Sequence, residues 1–251
     1  CALPIWSAPM GGYHILRGPA SWLMTRCGTY RDRPHQADML HVDLWYRGLN
    51  VLRDAGSFMY YHEDSRWQHY FHSTAAHNTV EIDGVDQMIK GPRFLWFRWP
   101  AAHVISSTGN DDASVLDMQS DSYAWLPQPV THRRSITRNG DTYTICDALT
   151  SAGRHTARVR WRLIDAPWCR HAHDAHTWLT TVDGASMSVC LESPAELDVQ
   201  LIRGETSPPA GWESLYYGEK SPSPTLIATI EFDKHVHLTT TIGLGSSQPS
   251  S

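Results

Sequence analysis

The sequence has no sustained helical periodicity, no long apolar run and no close pair of cysteines, and each absence narrows what the chain can be. Without apolar positions recurring at three and four residues, helical bundles and doubly wound α/β folds are excluded. Without an apolar run of about 18 residues there is no expected membrane-spanning helix. The five cysteines, Cys1, Cys27, Cys146, Cys169 and Cys190, are scattered singly, which excludes a zinc knuckle or a redox pair and leaves buried free thiols as the expectation. No Gly-rich phosphate cradle, Gly-x-Ser-x-Gly elbow or His-Glu-x-x-His helix is present. The chain opens on Cys1 with no basic n-region or long apolar run, so neither a signal peptide nor a membrane span is expected, and the sequence reads as a fragment.

Charge is equally informative by its scarcity. The 251 residues carry a net charge of −5 and no basic stripe, which argues against nucleic acid as a partner. Residues 17–98 hold ten Lys/Arg against nine Asp/Glu, or +1, and six of the histidines; residues 99–251 hold eleven against seventeen, or −6. An anionic ligand would therefore be met in the first part.

What the chain does have is period-two alternation from end to end. In His41-Val42-Asp43-Leu44-Trp45-Tyr46-Arg47, the alternation puts His41, Asp43, Trp45 and Arg47 on one face and Val42, Leu44 and Tyr46 on the other. A turn at Gly48-Leu49-Asn50 and a returning strand then bring Asp54 to a strand end beside Gly56. Asn139-Gly140 and Asp183-Gly184 each mark a hairpin between further candidate strands. Separate strands are expected at 141–148, 155–164, 225–232 and 235–242. A Pro/Ser-rich stretch from Ser207 to Pro224 is expected as a surface loop, and the tail from about Leu244 to Ser251 as frayed. The expected fold is all-β: one domain of antiparallel sheets stacked as a sandwich, over residues 1–251.

Candidate chemistry concentrates between Arg33 and Thr79. Asp54 and His77 each fall at the edge of a predicted strand. They could ligate zinc with His41, Gln36 or His35, or His77 could hydrogen-bond a buried carboxylate to lock a loop. The run from Tyr60 to His72 is too polar for core and rich in aromatics. It suits a carbohydrate subsite in which rings stack on sugars and Arg66 or a histidine meets a carboxylate, and it suits a packing loop almost as well. His171, His173 and His176 are expected in a solvated loop.

The blocks Gly12 to Arg17, Arg33-Pro34-His35-Gln36-Ala37-Asp38-Met39-Leu40-His41-Val42-Asp43-Leu44-Trp45, Asp54 to Tyr60, Ala76-His77-Asn78-Thr79-Val80-Glu81-Ile82-Asp83-Gly84, Asp86-Gln87 and Gly211 to Gly218 resemble the C-terminal domain of heparinase II/III-like proteins, over residues 12–243. The resemblance implies a polysaccharide lyase, related to alginate lyases and heparinases. Its N-terminal α/α toroid would lie outside this sequence, its substrate would be an acidic uronate-containing polysaccharide, and its location would be the bacterial periplasm or exterior. It also implies one structural zinc, with Gln36, Asp54 and His77 at the ligand positions, Gln36 standing where better-known members have histidine. The catalytic histidine of those members falls on Pro34, which cannot transfer a proton. The candidate catalytic residues are then Tyr60, Tyr61, Tyr70 and His41, and the candidate substrate-binding residues Arg66, Trp67, His69 and Asn78. A non-catalytic glycan-binding or supporting module is the competing reading.

Overall fold

A computed structural model describes residues 3–246. The first sheet is a five-stranded antiparallel meander of β1 (Ile5–Ala8), β2 (Tyr13–Arg17), β3 (Ser21–Arg26), β4 (Val42–Tyr46) and β5 (Leu49–Leu52), adjacent in chain order. In β4 the alternation is as expected, with Val42, Leu44 and Tyr46 buried, while Trp45 stacks on Trp22 of β3 at 5.5 Å on the outer face. The turn sits one residue earlier than the sequence indicates. Arg47 and Gly48 occupy it at φ 50 and 82, the two left-handed positions of a type I′ turn, and Leu49 and Asn50 belong to β5.

A short helix, α1 (Ser65–Tyr70), whose N-terminus is capped by the Asp64 side chain accepting from the Arg66 N–H, and a single 3-10 turn (Thr74–Ala76) follow. The second sheet begins with β6 (Val80–Ile82); β7 (Ile89–Lys90) and β8 (Trp96–Phe97) form a small ladder apart from it. The sheet continues through β9 (Ala102–Gly109), β10 (Ala113–Tyr123), β11 (Val130–Asn139), β12 (Thr142–Arg162), β13 (Cys169–His171), β14 (Asp174–Val182), β15 (Ala185–Glu192) and β16 (Asp198–Ile202). Two further small ladders, β17 (Glu205–Thr206) with β18 (Pro209–Ala210) and β19 (Trp212–Glu213) with β20 (Ser221–Pro222), order the stretch expected as loop, and β21 (Thr225–Ser246) closes the fold.

The strands of this second sheet pair antiparallel, in the order β13-β14-β15-β21-β12-β11-β10-β9, with β6 on β12 and β16 on β21. Both hairpins read from Asn139-Gly140 and Asp183-Gly184 are present. Four strands expected separately are instead two long ones, β12 and β21, which pair along their length with one register shift between Thr150 and Arg154. That irregularity bends the ladder without ending it. Gly245 and Ser246, expected in a frayed tail, pair with Ser186 and Ala185, because β15 supplies a partner to the end of β21; residues 247–251 lie outside the described residues.

The core lies between the inner faces of the two sheets. Leu16, Leu23 and Leu44 on one side meet Ile136, Ile145, Val159 and Trp161 in one fully buried cluster. Among the described residues the cysteines are free, and only Cys27 is buried; Cys169 is exposed. No helix among them is long and apolar enough to cross a membrane.

Candidate functional site: a histidine–aspartate–histidine cluster at the sheet junction

Antiparallel pairing of β4 with β5 brings the residue before β4 and the residues after β5 to one edge, which places His41 beside Asp54. His77 arrives from the other sheet, at the end of the 3-10 turn and just before β6, which pairs with β12. The ligand-type atoms of His41, Asp54 and His77 lie within 4.8 Å of one another. His77 Nδ1 is 2.8 Å from Asp54 Oδ2, His41 Nε2 is 3.6 Å from the same oxygen, and the two imidazoles stand edge to face at 5.5 Å. The other Asp54 oxygen accepts from the Gly56 N–H at 2.7 Å. Gly56 has φ 78, and a Cβ there would sit 2.0 Å from the Ser214 carbonyl, so glycine is required where the Gly211–Gly218 stretch crosses this loop.

Both imidazoles are buried, whereas the Asp54 side chain is 39% exposed. Burial pushes His41 down to about 4, only partly opposed by Asp54, so His41 is neutral. Burial also opposes charge on His77, but the adjacent Asp54 outweighs it and raises the imidazole above its ordinary value. Burial alone would raise Asp54; the His77 charge and hydrogen bond, His41 and the Gly56 N–H reverse this and hold the carboxyl low. The trio is therefore an aspartate gripped by a neutral His41 and by a His77 on which the carboxylate favours positive charge.

Asn78, expected to touch substrate, is fully buried and acts as a hub. Its Nδ2 donates to the carbonyls of Val42 (2.8 Å) and Arg53 (3.1 Å), and its Oδ1 accepts from the Arg162 N–H (2.6 Å). Its own N–H donates to His41 Nδ1 (3.0 Å). Thr79 Oγ1 donates to the Met39 carbonyl, and the Gln87 amide mimics a backbone, accepting from the Met39 N–H and donating to the Met39 carbonyl. The His-Asn-Thr block and the Asp86-Gln87 pair thus fasten the approach to β4. Beneath them, Arg134 of β11 donates through Nη1 to the carbonyls of Leu40 (2.6 Å) and Asn78 (2.8 Å) and through Nε and Nη2 to Asp147, which also meets His132 Nε2 at 2.6 Å. The sequence carried one signal of Arg134: it stands in the same alternation phase as the apolar Val130 and Ile136.

Other expected site residues are dispersed. Gln36 is outside the cluster, its amide donating to Ser57 Oγ at 3.2 Å, and His41 takes the third position. His35 packs instead on His72, 4.6 Å between ring centres. Tyr70 is buried, its hydroxyl accepting from Arg162 Nη1 (3.0 Å) and the Trp212 N–H (3.3 Å), so that hydroxyl is engaged in holding the chain. His41 is likewise buried. Tyr60 and Tyr61 are exposed, and Tyr60 joins Phe94 and Tyr217 in an aromatic rim. Trp67 packs against Trp212 with Lys220 over its face, Arg66 pairs with Asp64, and His69 meets Asp86 at 3.0 Å. His171, His173 and His176, expected in a solvated loop, lie instead in a strand hairpin: His171 ends β13, His176 lies half-buried in β14, and only the exposed His173 is in the turn between them.

The family profile described as "Heparinase II/III-like, C-terminal" matches residues 2–243. Among solved structures, "Heparinase III-BT4657 gene product" superposes with a TM-score of 0.80 at 19% identity, covering 98% of this chain and 37% of that one. Heparan sulfate lyase HepC from Pedobacter heparinus gives 0.79 at 16% identity, covering 99% and 37%. At these identities the likeness is one of fold, and the chain spans little more than a third of either relative's length. No curated protein matches it. With the profile matched over nearly its whole length and the motif blocks tied into one site, the chain belongs to the heparinase II/III-like C-terminal domain family.

Proposed function

We propose that this chain is the β-domain of a polysaccharide lyase that cleaves a uronate-containing acidic polysaccharide by β-elimination. The observation that carries the reading is the His41–Asp54–His77 cluster at the sheet junction of a heparinase II/III-like domain, with the exposed Tyr60–Tyr61 segment following Asp54 along the chain. The relatives that resemble it in fold include a protein described as a heparan sulfate lyase. In this chemistry a base removes the uronate C5 proton, an acid protonates the departing O4, and the sugar carboxylate is neutralised so that the C5 proton becomes acidic. Tyr60 and Tyr61 are exposed phenols of the candidate segment that would transfer protons; Tyr70 and His41 act by position. The remaining groups would come from an N-terminal toroid, and the protein would work in the periplasm or outside a bacterial cell.

The cluster fits a divalent cation such as zinc, because Nε2 of both buried histidines lacks a hydrogen-bond partner and a carboxylate lies between the rings. A cation held by His41, Asp54 and His77 would supply a crosslink among three chain segments. It is a structural role, and the elimination is not routed through it.

The deciding experiment is a screen of the toroid-containing protein against alginates, glycosaminoglycans and bacterial exopolysaccharides, following unsaturated-uronate absorbance. Turnover that falls at least a hundredfold in Tyr60→Phe or Tyr61→Phe supports the reading, and no turnover on any polymer sinks it. The 251 residues alone are expected to be inactive. Pro34, at the position of a proton-transferring histidine in better-known members, favours a second reading as a non-catalytic glycan-binding module. Oligosaccharide binding with no turnover selects that one.

A further inference from the structure

A groove of about 1030 Å³ lies on the far side of Tyr70, over the β6–β12–β21–β16 part of the second sheet. Register determines its floor. Glu81 pairs with Arg158, Arg158 with Thr229, and Thr229 with Asp198, so these four side chains form one row across four strands. Two residues along, Arg160, Ile227 and Gln200 form a second row on the same face. Strands lie about 4.8 Å apart, so the first row extends roughly 14 Å and the second roughly 10 Å, a span suited to a short oligosaccharide rather than to a single small molecule.

The groove's chemistry differs from that of the chain around it. Arg66, Lys90, Arg158 and Arg160 line it against Glu81, Asp86 and Asp198, four cations to three anions, in a chain whose net charge is −5. The single carboxylate of Glu81 is shared by Arg160, in close contact, and by Arg158 at 3.5 Å, so the guanidinium pair outnumbers its internal counterion. Arg158 is 39% exposed and has donors free to turn toward a ligand. The walls offer flat or apolar surface from Trp125, Pro208 and Met88, and the buried indole N–H of Trp125 has no partner. Paired guanidinium groups beside an aromatic wall are suited to anionic sugars, whose carboxylate or sulfate takes the charge while the ring face packs on the indole.

We propose that this groove is a binding site for an acidic oligosaccharide, with Arg158 and Arg160 receiving its anionic groups and Trp125 packing against a sugar ring. The site is separate from the histidine–aspartate cluster and rests on the reading that the protein handles an acidic glycan. Within it Glu81 competes with the ligand for the two arginines, so removing its charge should tighten binding, whereas removing Arg158 should weaken it.

Calorimetric titration of the 251-residue chain tests this directly, with an alginate tetrasaccharide, a heparan sulfate tetrasaccharide and neutral cellotetraose as probes. At least one acidic probe should bind, cellotetraose should bind at least tenfold more weakly, Arg158→Ala should lose at least tenfold in affinity, and Glu81→Gln should gain about threefold or more. Circular dichroism of each variant checks the fold, and Gln200→Ala on the outer strand, expected to lose a fewfold, serves if Glu81→Gln unfolds. Equal affinity for the neutral probe, binding indifferent to both arginine and glutamate changes, or no binding of either acidic probe would overturn the proposal. Binding is read without turnover, so a groove that binds in a protein lacking lyase activity leaves this inference standing and removes only the lyase reading. Lyase activity with an unchanged KM in Arg158→Ala does the reverse.

Discussion

The backbone N–H of Asn78 donates to Nδ1 of His41 across 3.0 Å. A neutral imidazole that accepts at Nδ1 carries its proton on Nε2, and that nitrogen faces Asp54. One residue from the His77 segment thus orients the ring of the other histidine, and the same residue's side chain ties β4, the Asp54 loop and β12 together.

Asn78→Ala should therefore destabilise the domain far more than a usual alanine substitution. It strands the Val42 and Arg53 carbonyls and the Arg162 N–H in the interior, at about 1–3 kcal/mol for each buried group left unsatisfied. Urea unfolding should show a loss of at least about 3 kcal/mol; a loss under about 1 kcal/mol would show that the hub is not structural.

Arg134→Met leaves Asp147 as a fully buried carboxylate with only His132 beside it and unties the Leu40 and Asn78 carbonyls. Breaking one side of such a pair costs about 3–5 kcal/mol. Adding Asp147→Leu should recover part of that, so a double-mutant cycle should give a coupling energy of at least about 1.5 kcal/mol, and simple additivity would contradict the assignment.

Stability in the presence of a chelator should rise between about pH 4 and pH 6.5. Burial holds both His41 and His72 down to about 4, against an ordinary value of 6.5, so across this window the unfolded chain binds more protons than the folded one. Two such groups allow a slope of up to about 2.7 kcal/mol per pH unit. His77 acts oppositely, since its raised value contributes stability that is present below 6.5 and lost as pH rises through the folded value. Asp54, held low, contributes stability present above its unfolded value of 3.8 and lost at still lower pH. Denaturant midpoints measured across pH for the wild type and His72→Gln should show a shallower acid limb in the variant; superimposable limbs would refute the assignment for His72.

Zinc should raise the melting temperature of the chain, and the effect should vanish in His77→Ala and Asp54→Asn. Because a cation must displace the proton that Asp54 favours on His77, affinity should climb with pH as His77 deprotonates, by up to about tenfold per unit for that one proton. Metal analysis after purification, with equilibrium dialysis at two pH values, checks both; a stoichiometry that His77→Ala leaves unchanged would place the ion elsewhere.

Much of this was written along the chain. Alternation in Val42-Asp43-Leu44-Trp45-Tyr46 set which side chains are buried, and the Asn-Gly and Asp-Gly pairs set two hairpins, because period and turn chemistry are local properties. The sequence also marked Asp54 and His77 as residues at strand ends.

It offered His41, Gln36 and His35 as the third member and did not choose between them. Alternation put His41 on the outer face with Asp43, but His41 lies one residue before β4, and the left-handed Leu40, at φ 60, reorients the chain there and buries the imidazole. Nor could it separate Tyr70 from Tyr60 and Tyr61, three phenols in one polar run. α1 turns Tyr70 inward to Arg162, ninety-two residues away, while its neighbours stay in solvent. The groove is of the same kind. Glu81, Arg158, Thr229 and Asp198 form a row only once strands distant in sequence settle into register. Local sequence determined the strands and the residue types at their ends; long-range pairing decided which of them meet, because contact across a sheet depends on register that no single segment encodes.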